Sequence, residues 1–350
     1  MDEIQKTEAR NYLTAGGLLL IGVIELLVLF HKIGGSGVQS AASSEVLVWA
    51  VAGSILLVLG ILLLVIHKRD LAGITFIILG IANIMSTFIG VDAMGLMLIT
   101  NIVCLLWGII VFFSRDSQKW IFGIISILYG LYLVPLLFFA PAVQPVCQLV
   151  LVIIVAAIAF YFALAAGFER IRLPGRNLIT ADETTDFKQS GSAVGYTIFG
   201  GVALAYALMY LNVSVFSANA AAIETAGLGF GLMLILMGIL LFAVGKMRFT
   251  PVMFIVLGAS EMIPFFSSGI TLYAMAVLVI IAGLFAMFRK ESRILPGIML
   301  IVYGVTFFIS AAVGGTSIAP IASFILNLIP ALIAIYLAVA TLSQRKIPLI

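Results

Sequence analysis

Two carboxylates, Glu25 and Glu261, stand inside long apolar runs, and nothing basic shares the interior of either run. A charged side chain at the centre of a hydrocarbon layer costs about 3 kcal/mol on insertion scales. Protonating a carboxyl two pH units away from its usual range costs a comparable amount, about 2.7 kcal/mol. Both groups are therefore candidates for a proton-sensitive element inside a membrane. Glu261 is the deeper of the two, near the middle of its run, whereas Glu25 lies closer to one end, where an interfacial carboxylate stays hydrated. Asn83, Asn101, Ser86, Ser260 and Asn327 are the other deep polar side chains, and hydrogen bonding between helices explains each of them as well as a solute pathway does. Pro251, Pro264 and Pro330 are candidates for opening backbone carbonyls toward a cavity, with Pro251 also at home in a first helical turn. Other chemistries lack their residues: there is no GxxxxGK[ST] loop and no His or Cys cluster at metal-ligand spacing, and His31 and His67 are the only histidines. An ATP-driven pump, a metalloenzyme and a Ser/His hydrolase are thereby disfavoured, and no enzyme activity, cofactor or metal is expected.

The elements that hold these residues follow from composition. Of 350 residues, 63% are hydrophobic and only 9% are charged, more apolar surface than a water-soluble domain can hide. A hydrocarbon core about 30 Å thick needs roughly 20 apolar residues per helix. The expected fold is an all-α polytopic membrane protein of about twelve helices, at 13–30, 46–66, 71–91, 95–113, 120–140, 147–167, 192–211, 227–244, 250–268, 270–288, 295–313 and 320–343. Threading the chain through these spans places every one of the 18 lysines and arginines except Lys32 on one side. By the positive-inside rule both termini are cytoplasmic in a cell membrane, and the parity of the span count is supported at the same time. The basic residues thus report topology rather than a nucleic-acid partner. The partners expected are the lipid bilayer and a small-molecule solute, and a homo-oligomer is compatible with the pattern. Cys104 and Cys147 fall inside spans and indicate no disulfide framework. Trp49 and Trp120, near span ends, read as interfacial anchors.

The second half of the chain echoes the first at a constant offset of 178 residues: Gly17, Gly22, Gly53, Gly60 and Gly80 fall on Gly195, Gly200, Gly231, Gly238 and Gly258. The run GILL at Gly60 recurs at Gly238, and Lys68 matches Lys246. After a small shift, Gly123, Tyr129 and Gly130 match Gly297, Tyr303 and Gly304. The expected organisation is a first six-helix repeat over 1–172, a solvated linker over 173–191 containing the acidic run Asp182 to Asp186, and a second repeat over 192–350, the two related by an axis along the membrane normal. In this register Glu25 faces Ala203 and Glu261 faces Asn83, which makes Asn83 the third candidate position. Glycines seven apart, such as Gly53 with Gly60, share a helix face and read as packing surfaces.

The basic turn His67-Lys68-Arg69-Asp70-Leu71-Ala72-Gly73 and the sixth helix AFYFALAAGFERIRLPGR from Ala159 give each half a resemblance to SatP/YaaH-type acetate uptake transporters and AmiS/UreI urea and amide channels. In place of the acetate family's NPAPLGL the chain has Asn11-Tyr12-Leu13-Thr14-Ala15-Gly16-Gly17. The resemblance implies a transporter or channel for a small polar solute such as a short monocarboxylate, with Glu261, Asn83 and Glu25 as proton-sensitive or pathway residues. The glycine-rich spans with short basic loops also resemble HdeD-type membrane proteins, which implies the alternative of a non-transporting structural or acid-stress protein. A topology test follows. In a variant lacking Cys104 and Cys147, a cysteine placed at Ser217 should react with a membrane-impermeant maleimide added outside intact cells, and one placed at Asp182 should not. External labelling at 182 would overturn the threading.

Overall fold

A computed structural model describes residues 3–33, 42–88, 93–168, 173–181, 186–266, 270–288, 294–313 and 319–343. Arg170, Arg172, Asp92 and residues 182–185 of the acidic run lie outside the described residues, and for Lys32, Ser86 and Pro264 only the backbone is described. Among the described residues the structure is helical, without strands. Hydrocarbon offers no water to an unpaired N–H or C=O, so each apolar segment satisfies its backbone internally as a helix. The helices are α1 (Glu3–Ile33), α2 (Ala42–Val65), α3 (Asp70–Phe88), α4 (Ala93–Val111), α5 (Lys119–Gly130), α6 (Leu133–Phe138), α7 (Gln144–Gly167) and α8 (Arg176–Thr180). They continue with α9 (Phe187–Tyr210), α10 (Ser214–Ser217), α11 (Ala220–Ala243), α12 (Phe249–Phe266), α13 (Ile270–Phe288), α14 (Ile294–Val313) and α15 (Ala319–Leu342). Eight stretches among the described residues are long and apolar enough to cross a membrane, in α1, α4, α5 with α6, α7, α9, α11, α13 and α15. Shorter apolar stretches occupy α2, α3, α12 and α14. The chain is a multi-pass helical membrane protein.

It divides into two compact units, one made of 1–90 with 107–186 and the other of 91–106 with 187–350, so α4 contributes to both. In the first unit α1 packs on α7 and α2 on α3. The α2–α3 contact is backbone to backbone: a Cβ on Gly53 would meet the Gly80 carbonyl oxygen at 2.7 Å, and one on Gly60 would meet that of Gly73 at 2.6 Å. The ring of Phe76 fills the space over Gly17. Helix α2 ends in a Schellman-type turn, with Lys68 at φ 52° and the Arg69 N–H donating to the Leu63 carbonyl at 2.9 Å. Asp70 then opens α3, where a carboxylate suits the helix dipole.

In the second unit α9 packs on α15, α11 on α12 and α13 on α14. A Cβ on Gly231 would meet the Gly258 carbonyl oxygen at 2.6 Å, and the Phe254 ring covers Gly195. Helix α11 ends with Lys246 at φ 51° and the Met247 N–H donating to the Leu241 carbonyl at 3.2 Å.

Two expectations change. The span over 120–140 stands as one apolar stretch over 119–138, but its helix is interrupted between α5 and α6, because Pro135 has no N–H to give the Leu131 carbonyl. That carbonyl instead takes the Val134 N–H at 3.0 Å. The segment expected as a solvated linker is also largely built in. Phe187 to Gly191 form the first turns of α9, and Pro174 to Ala181 dock on the first unit. Gly175, at φ 79°, turns the chain into the short helix α8, whose Ile179 is buried. The carbonyls at its end are claimed: Arg69 donates to Ile179 O at 2.6 Å and Thr180 O at 3.0 Å, and Gln118 to Ile179 O at 3.0 Å and Ala181 O at 3.1 Å. Arg10 adds a bond to Thr180 O at 3.4 Å. A guanidinium 1% exposed, aimed at a helix C-terminus, is a strong clamp because both the bonds and the dipole favour it. Burial first, and then the charges of Arg10 and Arg69, hold the neighbouring His67 imidazole below its usual titration range. Arg69→Ala should leave these carbonyls short of partners at a cost of about 2–3 kcal/mol. Limited proteolysis of inside-out vesicles should then cut near Asp182 several-fold faster than in the parent protein, while an unchanged rate would mean that Arg69 does not hold the segment.

Candidate functional site

The three candidate residues fall into different surroundings. Glu25 is 4% exposed rather than hydrated at a helix end, and it accepts a hydrogen bond from the Tyr132 hydroxyl at 2.9 Å. Tyr132 stands at the break between α5 and α6, so the Pro135 interruption aims the phenol at α1. Asn83 is half-buried on α3 and donates to the Leu79 carbonyl of its own helix at 2.8 Å. Both belong to the first unit. Glu261 belongs to the second, on α12, and is likewise 4% exposed.

Glu261 accepts hydroxyl hydrogen bonds from two tyrosines, Tyr303 of α14 and Tyr206 of α9. The Tyr303 ring is locked edge-on between Phe199 and Phe307, with centroids 4.8 and 5.0 Å away. Tyr206 reaches the carboxylate because α11 carries Gly227 beside it. A Cβ there would stand 2.5 Å from the Tyr206 hydroxyl and 3.5 Å from Glu261 Oε2. Glu261, Tyr206, Tyr303 and Phe307 line a cavity of about 470 Å³ together with Glu224, Thr225, Thr306 and Asn327. That volume lies within the range of pockets that hold small ligands. Exposure grades through it. Ala221 and Glu224, in the first turns of α11, are exposed at the mouth, while Glu261, Tyr303 and Asn327 are buried at the floor.

Of the other deep polar side chains, Ser260 donates to Leu257 O at 2.6 Å and Asn327 to Ser323 O at 2.8 Å, both within their own helices. The Asn101 amide nitrogen is buried without a hydrogen-bond partner among the described residues. Asn327 joins Glu261 at the cavity, and Ser260 meets the Tyr303 hydroxyl beside it. Pro251 does sit in the first turn of α12, and Pro330 lies inside α15. The cysteines are free, and no group of three metal-binding side chains occurs among the described residues.

Glu224, Tyr206, Tyr210 and Tyr303 did not stand out in the sequence as site residues. Glu224 lay outside the span expected from 227, because a hydropathy window stops at a charge, whereas the alanine-rich start of α11 continues the helix back to Ala220. The spacing of Tyr206 and Tyr210, one turn apart on one face, was the available signal.

No protein-family model, curated protein or solved structure matches the chain. The functional reading therefore rests on this geometry. Tyr303→Phe removes a hydroxyl donor from a buried carboxylate and should lower stability by about 1.5–3 kcal/mol. The check is thermal unfolding of the purified protein in detergent, where an unchanged midpoint would show that the pair holds nothing.

Proposed function

We propose that the protein is a transporter or channel for a small polar solute, with the cavity of the second unit as its solute site and Glu261 as its proton-sensitive element. The observation that carries this reading is the graded cavity, with an exposed carboxylate at its mouth and a buried one at its floor. Helix-to-helix adhesion alone needs no such space. We propose further that the spans number twelve, arranged as two parallel six-helix repeats. The support is local. Lys68 and Lys246 share a left-handed φ at equivalent positions, the bonds Arg69 to Leu63 and Met247 to Leu241 are in register, and Phe76 and Phe254 cover equivalent glycines. With both termini cytoplasmic in a cell membrane, the mouth beside α10 and the start of α11 opens to the outside.

One observation favours the alternative of a non-transporting, HdeD-like structural or acid-stress protein: Glu25 and Tyr132 pair with each other, a bond that holds helices together. By the register of the repeats, Asn83 is the neutral counterpart of Glu261, and the proton-sensitive role falls to Glu261.

The groups that face Glu261 are Tyr206 of α9, Tyr303 of α14 and, across the cavity, Glu224 of α11 with Tyr210 of α9. Glu261→Gln keeps the shape of the protonated acid while removing its titration. Solute flux into proteoliposomes should become nearly flat between about pH 5 and 8 in this variant, because the group whose protonation would gate it is gone. Glu25→Gln should instead show mainly in thermal stability. A pH profile that survives Glu261→Gln in an active protein would remove this residue from the mechanism, and absence of flux in the parent protein would favour the structural alternative.

A further inference from the structure

The cavity carries an imbalance that narrows what it can hold. Four of its hydroxyls, those of Tyr206, Tyr303, Thr225 and Thr306, already have partners inside the protein. Tyr206 and Tyr303 donate to Glu261, Thr225 donates to Ala221 O at 2.8 Å, and Thr306 lies 3.2 Å from both Val302 O and Leu326 O. One amide proton of Asn327 is likewise taken by Ser323 O. What the lining offers inward is oxygen. Glu224 and Glu261 carry lone pairs, and the Asn327 side-chain oxygen, on a residue 2% exposed, accepts no hydrogen bond from the described residues.

Charge points the same way. No lysine, arginine or histidine occurs between Lys188 and Lys246, between Arg248 and Arg289, or between Arg293 and Arg345, nor in 91–106. Glu224 and Glu261 are the only charged residues within those three long stretches, and both line this one cavity. Of the remaining lining, Tyr206, Tyr210, Tyr303 and Phe307 are aromatic, and Ala221 and Leu272 are aliphatic. Aromatic faces attract cations, the more so when water is excluded.

We propose that the cavity binds a small organic cation carrying N–H donors, an amine or guanidinium compound, between Glu224 at its mouth and Glu261 at its floor. The Asn327 oxygen takes one of its hydrogen bonds, and the tyrosine rings flank it. A short monocarboxylate would meet two carboxylates and few uncommitted donors, with no basic side chain to neutralise it, and would pay for burial without compensation. This proposal rests on the cavity being the solute site.

The test uses the full-length protein in nanodiscs and proteoliposomes, with guanidinium, acetate and acetamide as probes at millimolar concentration. Guanidinium is suitable because it stays charged and does not cross the bilayer as a neutral species. Calorimetry should show guanidinium binding, and labelled guanidinium should enter proteoliposomes. Binding should weaken at least tenfold in Glu261→Gln and in Glu224→Gln, the latter altering an exposed carboxyl that the fold does not need. Ala221→Trp, which fills the mouth, should block both binding and uptake. If acetate or acetamide is taken up and blocked by Ala221→Trp while guanidinium does not bind, the cation assignment is overturned and the solute site stands. If guanidinium binds equally well to all three variants, it binds elsewhere and the proposal is overturned. If none of the three probes binds or enters, the cation assignment is overturned, and a failure of Ala221→Trp to alter flux of any solute the protein carries would overturn the cavity as the solute site as well.

Discussion

A polar group inside an apolar helix bundle has to find its hydrogen bonds in other side chains or in backbone, because hydrocarbon supplies none. Glu25 solves this with Tyr132, and Glu261 with Tyr206 and Tyr303. Arg69 meets the same demand with the carbonyls of Ile179 and Thr180. Each solution ties together elements remote in the chain. The difference at Glu261 is that its partners are arranged around empty volume, so satisfying the carboxylate also orients the Tyr206 and Tyr303 hydroxyls. The character of the cavity is thus a by-product of the constraint that stabilises it.

The second requirement is proximity, and glycine provides it. Where α2 meets α3 and α11 meets α12, glycines let one backbone lie against the carbonyl of the next. Dispersion and weak backbone contacts then do what a hydrophobic drive cannot do among lipid tails as apolar as leucine. Gly227 applies the same device to a side chain: the space it leaves is what the Tyr206 hydroxyl needs. Along the 178-residue register the counterpart of Gly227 is Trp49, and that of Glu224 is Val46. The space and the mouth carboxylate therefore have no sequence counterpart in the first half.

What could be read from the sequence was whatever depends on averages over a helix. Apolar runs located the long helices to within a few residues except at the starts of α1 and α11, where polar residues extend the helix beyond the run, and Glu261 stood out because a charge inside such a run is costly. Pairwise geometry was not legible. Nothing in the apolar run around Tyr303 says that its hydroxyl meets a carboxylate 42 positions away. Glu224 was hidden because its own charge ended the hydropathy window. The segment from Pro174 to Ala181 looked solvated because it is polar, yet its polarity lies in backbone carbonyls that Arg69 and Gln118 capture. Glu25 was placed at an interface by its distance from the end of its run, and Tyr132 reaches it only because Pro135 breaks the helix.

The division of α4 between the units bears on how the chain is made. Its residues 93–106 pack with the second unit, where the backbone at Gly95 lies against Ala222, a residue synthesised 127 positions later. At roughly 5–20 residues per second, that partner emerges on the order of ten seconds after Gly95. During that interval the α11-facing side of α4 has only lipid or the insertion machinery against it. The first half of the chain therefore cannot reach its final packing while it is being translated, and assembly of α4 is completed by its C-terminal sequence.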